Sequence, residues 1–589
     1  MYLYNIKLWN FRKYGCDGEI DISNPSLDFY LKKGLNLLIG ENDSGKSSII
    51  DALKLVLKTT SYEWIQLTHE DFFEDAERLR IELKFRGLKP EEAKNFTEFL
   101  SWEKIDEIEE VILNIIYDTV RRNGKIIPTD IKAGSDRIGK ALPAEAREFL
   151  KATYLKPLRD AKSELTPKKN SRLSQIFQEH DAFRNNENHV LLKIYEEFND
   201  AITHYFDGED KDGNILLSDQ NGKSLKSSID NSIKGFFNEN SETDINTTKA
   251  EIKKILESLE LTLTDVMNPG LGSLNRLFMA SELIHLNKDN WTGLKLGLIE
   301  EIEAHLHPQV QLKVIDYIQQ FEDTQLIVTT HSPNLASKVP LDKILVCRNK
   351  GVYSLASEYT CLEKRDYVYL EKFLDVTKSN LFFAKGLILV EGWSEEILLP
   401  VIADKIGLNL IKNEISVINV GNLGFSHYYK IFARKNNESM DIPISILVDC
   451  DEKVYEENIE NSQKNYLKKD LLEYRKNCVE KAAHIKASYT PPANPFISLE
   501  WTLEWCLYKS KVFGKKFTEI MKEIHSGTVW DNEEKKLAEK LINQSLKKTE
   551  IAYKLAKTIE DGDINVSLED MEEDEYMKYI IGAIKNVCK

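Results

Sequence analysis

Residues 35–57 read LNLLIGENDSGKSSIIDALKLVL, and this stretch decides the fold. An apolar run, Leu35 to Ile39, enters a turn bracketed by glycines. Ile49, Ala52, Leu53, Val56 and Leu57 then fall on one face of a 3.6-period helix. Strand, glycine loop and helix in this order form a P-loop. Glycines at 40 and 45 let backbone N–H groups wrap the phosphates, Lys46 reaches the β and γ oxygens, and Ser47 offers its hydroxyl to Mg²⁺. The helix N-terminus adds the positive end of its dipole. The nucleotide-binding set is therefore Gly40, Asn42, Gly45, Lys46, Ser47 and Ser48, within an α/β fold.

A chain of 589 residues is too long for one core and implies three or four units. No apolar run approaches the ~18 residues of a membrane span, and MYLYNIKLWNFRKY lacks the basic-then-apolar layout of a signal peptide. A cytoplasmic protein without membrane contact is expected. Seven cysteines include no CxxC pair, which disfavours a zinc ribbon or a disulfide framework. The net charge of −17 argues against indiscriminate polyanion binding but leaves room for DNA on a local basic surface. Clusters such as Lys168, Lys169 and Arg172, or Lys509, Lys511, Lys515 and Lys516, read individually as solvated faces.

Along the chain, residues 3–8, 80–86 and a run from Glu110 read as strands, which places the P-loop among strands in residues 1–167. Residues 168–267 turn helical, with HVLLKIYEEFNDAITHYF and KAEIKKILESLEL, and form an insertion that reads either as a dimerisation element or as a helical subdomain packed on its own chain. Phosphate-site vocabulary resumes over 268–378. Gly272 and Ser273 precede a helix, and the strand LKLGLI runs into Glu300 and Glu301. The first acid suits the Mg²⁺ shell and the second suits polarising the attacking water. QLIVTT ends at His331, placed to sense a γ-phosphate. A zinc site from His305, His307 and His331 lacks a convincing fourth ligand.

Residues 379–589 contain three apolar strands, GLILV, SVINV and ISILV, and two of them deliver acids at their C-terminal ends. The acids are Glu391 and Glu395, then Asp449 and Asp451. Open α/β sheets place ligands at that edge. Carboxylates gathered there repel by ~4 kcal/mol per pair at 4 Å in an effective dielectric of about 20. A hard divalent cation removes the conflict, and two ions about 4 Å apart suit phosphodiester hydrolysis.

GENDSGKS, the start Asn10, Phe11, Arg12, the IEEIEAHLHP segment and TTHSPN together resemble the ABC-type ATPase core of RecF, SMC and OLD proteins. That resemblance implies ATP as cofactor and paired heads, with Gly272 and Ser273 closing over the partner's γ-phosphate. Glu300 stands where the group has Asp, which predicts slow turnover, and Ile302 stands where it has Pro. EGxxE followed by DxD resembles the Toprim fold. The pair of domains looks like the OLD family, which includes the Gabija defence nucleases. The resemblance adds Glu504 as a further metal ligand and Lys548 beside the scissile phosphate. Asn422 departs from the usual second glycine.

The expectation is an ATP-binding, nucleotide-regulated DNA endonuclease using two Mg²⁺ or Mn²⁺ ions in antiphage defence or DNA processing. Glu391, Asp449, Asp451 and Lys548 would cut, with Glu301 serving the ATPase. It would act on DNA as a homodimer or homotetramer, and the Gabija branch implies a helicase partner. The alternative is a nucleotide-switched DNA sensor whose Toprim docks without cutting. The complete acid set argues against it.

Overall fold

The computed structural model describes the chain apart from residues 17, 62–64, 106–107, 157–163, 181, 184–188, 211, 217, 235, 237–241, 246–248, 250, 265, 267, 287–290, 422–423, 437, 461–462 and 589. Asn422 thus lies outside the described residues. Leu35–Ile39 is a strand buried at every position, because neighbouring strands flank it and apolar layers cover both faces. It lies in a six-stranded sheet ordered Thr153–Leu155, Leu296–Ile299, Gln325–Thr330, Leu35–Ile39, Ile344–Arg348, Gly351–Ser354. All pairings are parallel except the last. The P-loop helix Lys46–Leu57 follows, and its inward face, Ile49, Ala52, Leu53 and Val56, is buried as its periodicity predicts.

A second sheet, antiparallel throughout, contains Tyr2–Trp9, Leu27–Tyr30, Arg78–Arg86 and the long strand Ile108–Arg122. Its inward residues Leu3, Ile6, Leu83 and Phe85 share one core with Leu53 and Val56 of the P-loop helix, so that helix is sandwiched between sheets.

The 168–267 region is helical where described: Arg172–Glu179, Val190–Asp207, Asn221–Ile233 and Ile252–Glu257. The last is shorter than the KAEIKKILESLEL pattern suggests. Val190–Asp207 has no fully buried residue, and Val190, Ile194 and Phe198 are exposed at four-residue spacing. The insertion is anchored by Arg172, whose guanidinium donates to both carboxylate oxygens of Glu282, on the helix Leu271–Leu286, and to the carbonyl and hydroxyl of Thr60. Both charged side chains are buried. Removing one partner strands the other charge in a dry interior. Glu282→Ala is therefore expected to cost about 3–5 kcal/mol, measurable by chemical denaturation.

The C-terminal domain is built on a parallel sheet ordered Ile415–Asn419, Gly386–Val390, Ile444–Val448, Ala493–Ile497. Helices Trp393–Lys405 and Lys548–Glu560 pack against one another over it. Pro400 lies inside the first of these helices, at its exposed face. One apolar core runs from Leu35, Leu37 and Ile39 of the P-loop strand, through Leu370, Leu381 and Phe382, to Leu387, Leu389, Ile444 and Ile446 of this sheet. The two domains therefore share buried surface. No helix among the described residues is long and apolar enough to cross a membrane.

Candidate active site

At the nucleotide loop, Gly40 and Gly45 have φ of 148° and 102°. A Cβ would lie 2.3 Å from the Cys347 carbonyl oxygen at Gly40 and 2.1 Å from the Tyr14 hydroxyl at Gly45. Only glycine fits either place. The Lys46 ammonium is buried and donates to the carbonyls of Gly40 (2.8 Å) and Glu41 (2.7 Å) and to the Ser44 hydroxyl (3.0 Å). Burial lowers its pKa, so phosphate oxygens would supply the countercharge it lacks. Asn42 and Ser47 are exposed and Ser48 is half-buried.

Opposite the loop, the adjacent parallel strands Leu296–Ile299 and Gln325–Thr330 deliver Glu300 and His331 from neighbouring ends. Burial raises the Glu300 carboxyl, while hydrogen bonds from Tyr154 and Ser47 oppose that shift. Ser47 and Glu300 thus stand in side-chain hydrogen-bond contact. Glu301 follows with φ 45° and its N–H on the Thr329 hydroxyl. Burial and then the Lys46 charge keep His331 below its ordinary pKa, and it bonds the Gly40 backbone. A neutral imidazole on the loop fits a phosphate sensor.

Glu303 was not singled out from the sequence, yet it accepts hydrogen bonds from the Thr330 hydroxyl (2.7 Å) and the His331 N–H (2.6 Å). Gly272 and Ser273 stand in the first turn of Leu271–Leu286. There a Gly272 Cβ would lie 2.7 Å from the His305 carbonyl oxygen, and Arg276 donates to the Ser273 hydroxyl. His307 caps the helix Pro308–Ile318 through its ring nitrogen, a structural use that removes it from any zinc set.

The second centre lies at the C-terminal ends of Gly386–Val390 and Ile444–Val448. Glu391 follows the first strand and Asp449 the second, and the Asp449 N–H approaches Glu391 Oε1 at 3.4 Å. Glu395 sits in the first turn of Trp393–Lys405. Glu504 is 3% exposed in the helix Leu503–Lys509. Its carboxylate pairs with Lys548 Nζ at 2.8 Å and takes the Ser394 hydroxyl at 3.4 Å. Asp449 Oδ1 accepts the Leu503 N–H at 2.9 Å. Asp451 is exposed at φ 55°, tied by its N–H to the Trp501 carbonyl.

These groups feel one another. Burial, followed by Asp451 and Glu395, pushes the Glu391 carboxyl up to about 7. Burial, followed by Glu504, does the same for Glu395, also to about 7. Asp449 is raised well above the usual carboxylate range by burial and by Glu395, Glu504 and Glu391. Burial disfavours the Lys548 ammonium, but Glu504, with Asp449 and Glu395 beside it, outweighs that and raises its pKa. The structure thus brings Glu391, Glu395, Asp449, Asp451, Glu504 and Lys548 into one electrostatic cluster. Among the described residues, no three His, Cys, Asp or Glu side chains stand in ready-made ligating geometry. Tyr579, unmarked in the sequence, lies within reach of the Asp449, Glu395 and Glu504 charges.

A stability consequence follows from the raised carboxyls. Between the ordinary glutamate value of about 4.3 and about 7, the folded chain binds more protons at Glu391 and Glu395 than the unfolded chain. Stability from these groups is present at low pH and lost as pH rises through that window. In chelator, Glu391→Gln is expected to melt above the wild type at pH 8 and level with it at pH 5. Calorimetry of both proteins at the two pH values checks this.

Comparison with known proteins gives this geometry its place. Residues 1–336 match the AAA ATPase domain family. Residues 382–451 match the TOPRIM domain of the Overcoming lysogenization defect protein-like family. The chain is 24% identical over 549 residues to endonuclease GajA of Bacillus cereus (strain HuB5-5), covering 77% of each chain. It is 29% identical over 184 residues to uncharacterized protein YbjD of Escherichia coli (strain K12), covering 31% of this chain and 32% of that one. The C-terminal region of the Xanthomonas campestris pv. campestris OLD protein aligns at 21% identity over 36% of this chain and 94% of that chain, with a TM-score of 0.22. The first of the two domain matches spans more than half of the chain, so the protein belongs to the AAA ATPase domain family, and its residues 382–451 carry a TOPRIM domain of the OLD-like type.

Proposed function

We propose that the chain is an ATP-binding, nucleotide-regulated DNA endonuclease that nicks or cuts with Mg²⁺ or Mn²⁺ and serves antiphage defence or DNA processing. The observation that carries this reading is the clustering of five carboxylates and Lys548 at one strand edge, in a domain sharing its core with a P-loop. The donors are all oxygen and mutually repelling, with Glu504 buried, Glu391, Glu395 and Asp449 half-buried and Asp451 exposed, which fits a hard divalent cation and poorly fits zinc or a soft metal. Glu391, Glu395, Asp449, Asp451 and Glu504 would hold two such ions. When bound, they supply activation of water and charge neutralisation at the phosphate.

The chain's own groups do the rest. Lys548, paired with Glu504 beside the cluster, would steady charge developing on the scissile phosphate. In the head, Ser47 and Glu300 would hold Mg²⁺ at ATP, Glu301 would orient the attacking water, and His331 would read the γ-phosphate. Gly272 and Ser273 would close over a partner's nucleotide in a homodimer or homotetramer, and the 168–267 insertion would supply dimer contacts through its exposed Val190, Ile194 and Phe198 face. On this division, residues 1–167 and 268–378 form the head and 379–589 the nuclease. GajA of Bacillus cereus bears the name endonuclease, and a helicase partner belongs to the Gabija-type version of this reading.

The test is direct. Purified protein is incubated with supercoiled plasmid, with Mg²⁺ or Mn²⁺, across ATP concentrations. Conversion to open-circle or linear DNA, abolished by chelator and graded by ATP, is the expected result. Plasmid that is bound but intact under every condition would leave the sensor reading in its place.

A further inference from the structure

The nucleotide loop and the acidic centre sit on different sheets, and one side chain touches the roots of both. Arg348 ends the strand Ile344–Arg348, which pairs in parallel with the P-loop strand. The carbonyl of the preceding residue, Cys347, is so close to Gly40 that a Cβ there would lie 2.3 Å away. Arg348 Nη1 donates to the Ala384 carbonyl at 2.8 Å, and Nη2 donates to the carbonyls of Lys385 (2.8 Å) and Asp441 (3.5 Å). Ala384 and Lys385 immediately precede the strand Gly386–Val390, whose far end carries Glu391. Asp441 precedes the strand Ile444–Val448, whose far end carries Asp449. On its other side, the guanidinium stands 4.0 Å from the carboxylate of Glu41, inside the nucleotide loop.

We propose that Arg348 is a positioning residue that ties the spacing of the two acid-bearing strands to the state of the nucleotide loop. The proposal rests on the reading that nucleotide regulates cleavage, and it names the side chain through which regulation passes.

The strands are stiff and locked in register, Leu387 opposite Ile444 and Leu389 opposite Ile446, so a shift at their roots is delivered about 17 Å away at their acidic ends. The Arg348 fork reaches the roots of both strands, which a point charge could not do. Arg348 also has room to change partners. Its Nε is buried without a hydrogen bond among the described residues, and its head group is balanced between backbone carbonyls of the nuclease domain and the Glu41 carboxylate. Lys46 presently holds the Glu41 carbonyl at 2.7 Å. Phosphates that draw Lys46 toward themselves release that carbonyl, let Glu41 turn, and shift the pull on Arg348.

The experiment measures initial rates of duplex DNA cleavage in Mn²⁺, with saturating ATP and without it. It compares wild type, Arg348→Ala, Arg348→Lys and Glu41→Gln. The wild-type ratio of rates is expected to depart from one by a factor in the range of about 5–150. In Arg348→Ala the ratio should fall to within about twofold of one, while nucleotide-free cleavage and binding of a fluorescent ATP analogue persist. Arg348→Lys, which keeps the charge but not the fork, should also be uncoupled. If the alanine variant fails to fold, the lysine and Glu41→Gln variants carry the test.

A variant that loses cleavage equally with and without ATP, or keeps the wild-type ratio, overturns the proposal. A wild-type ratio of one is a different failure. It defeats nucleotide regulation itself, and this inference with it.

Discussion

Asp449→Asn is expected to reduce DNA cleavage by about 100-fold or more, above the 10–100-fold that supporting residues around a metal usually command. The substitution preserves shape. Asp449 Oδ1 accepts the Leu503 N–H at 2.9 Å, and an asparagine oxygen can do the same. What is removed is the negative charge at the centre of the cluster, between Glu391, Glu395 and Glu504. In the absence of metal that charge is a burden, because burial and three neighbouring carboxylates oppose it. The same variant should therefore melt higher than wild type in chelator while losing activity. A simple folding defect would lower both. Plasmid cleavage assays and thermal melts, run side by side, separate these outcomes, and nucleotide binding serves as the control because Asp449 and the P-loop follow strands of different sheets.

Lys46→Ala is expected to weaken ATP binding by about 100-fold, the order of effect for truncating a buried, hydrogen-bonded charge. Lys46 is the cation of the loop, buried among the Gly40 and Glu41 carbonyls and the Ser44 hydroxyl, with Glu301, Glu303 and His331 nearby. Its loss removes the β/γ-phosphate contact and leaves two loop carbonyls without their donor. ATP turnover should vanish, and with it any dependence of cleavage on ATP. Equilibrium binding of a fluorescent ATP analogue and phosphate release measure the two effects. Retention of wild-type ATP affinity would remove the P-loop from the account.

Much of this arrangement was legible in the sequence because its determinants are local. The eight residues from Gly40 to Ser47 specify their loop with contiguous chemistry, and the buried strands announce themselves as apolar runs ending in acids. Glu391 and Asp449 could be read for that reason, since each follows directly on the strand that places it. Glu504 and Lys548 could not be read in this way. They join the site only when helices Leu503–Lys509 and Lys548–Glu560 pack beside it, and family resemblance rather than spacing pointed to them.

Residues defined by strand pairing were invisible. Tyr154 reaches Glu300 across 146 positions because Thr153–Leu155 pairs with Leu296–Ile299. Glu303 matters through two hydrogen bonds to the end of another strand. Arg348 carries no motif at all, and its meaning comes from three carbonyls contributed by another domain. The helical insertion was recognisable by composition, while the arginine–glutamate pair that anchors it was not.

The central claim is that the carboxylate cluster at the strand edge is a divalent-cation centre that must be deprotonated to work. Equilibrium binding of Mn²⁺, followed by electron paramagnetic resonance of the free ion, tests it most directly in the nucleotide-free wild type and in Glu391→Gln and Asp449→Asn. Because Glu391 and Glu395 are held near 7, binding should be strong at pH 8, weaken sharply by pH 6, and fall in both variants at pH 8. Mn²⁺ binding that is indifferent to pH across this range and undiminished in both variants would contradict the account.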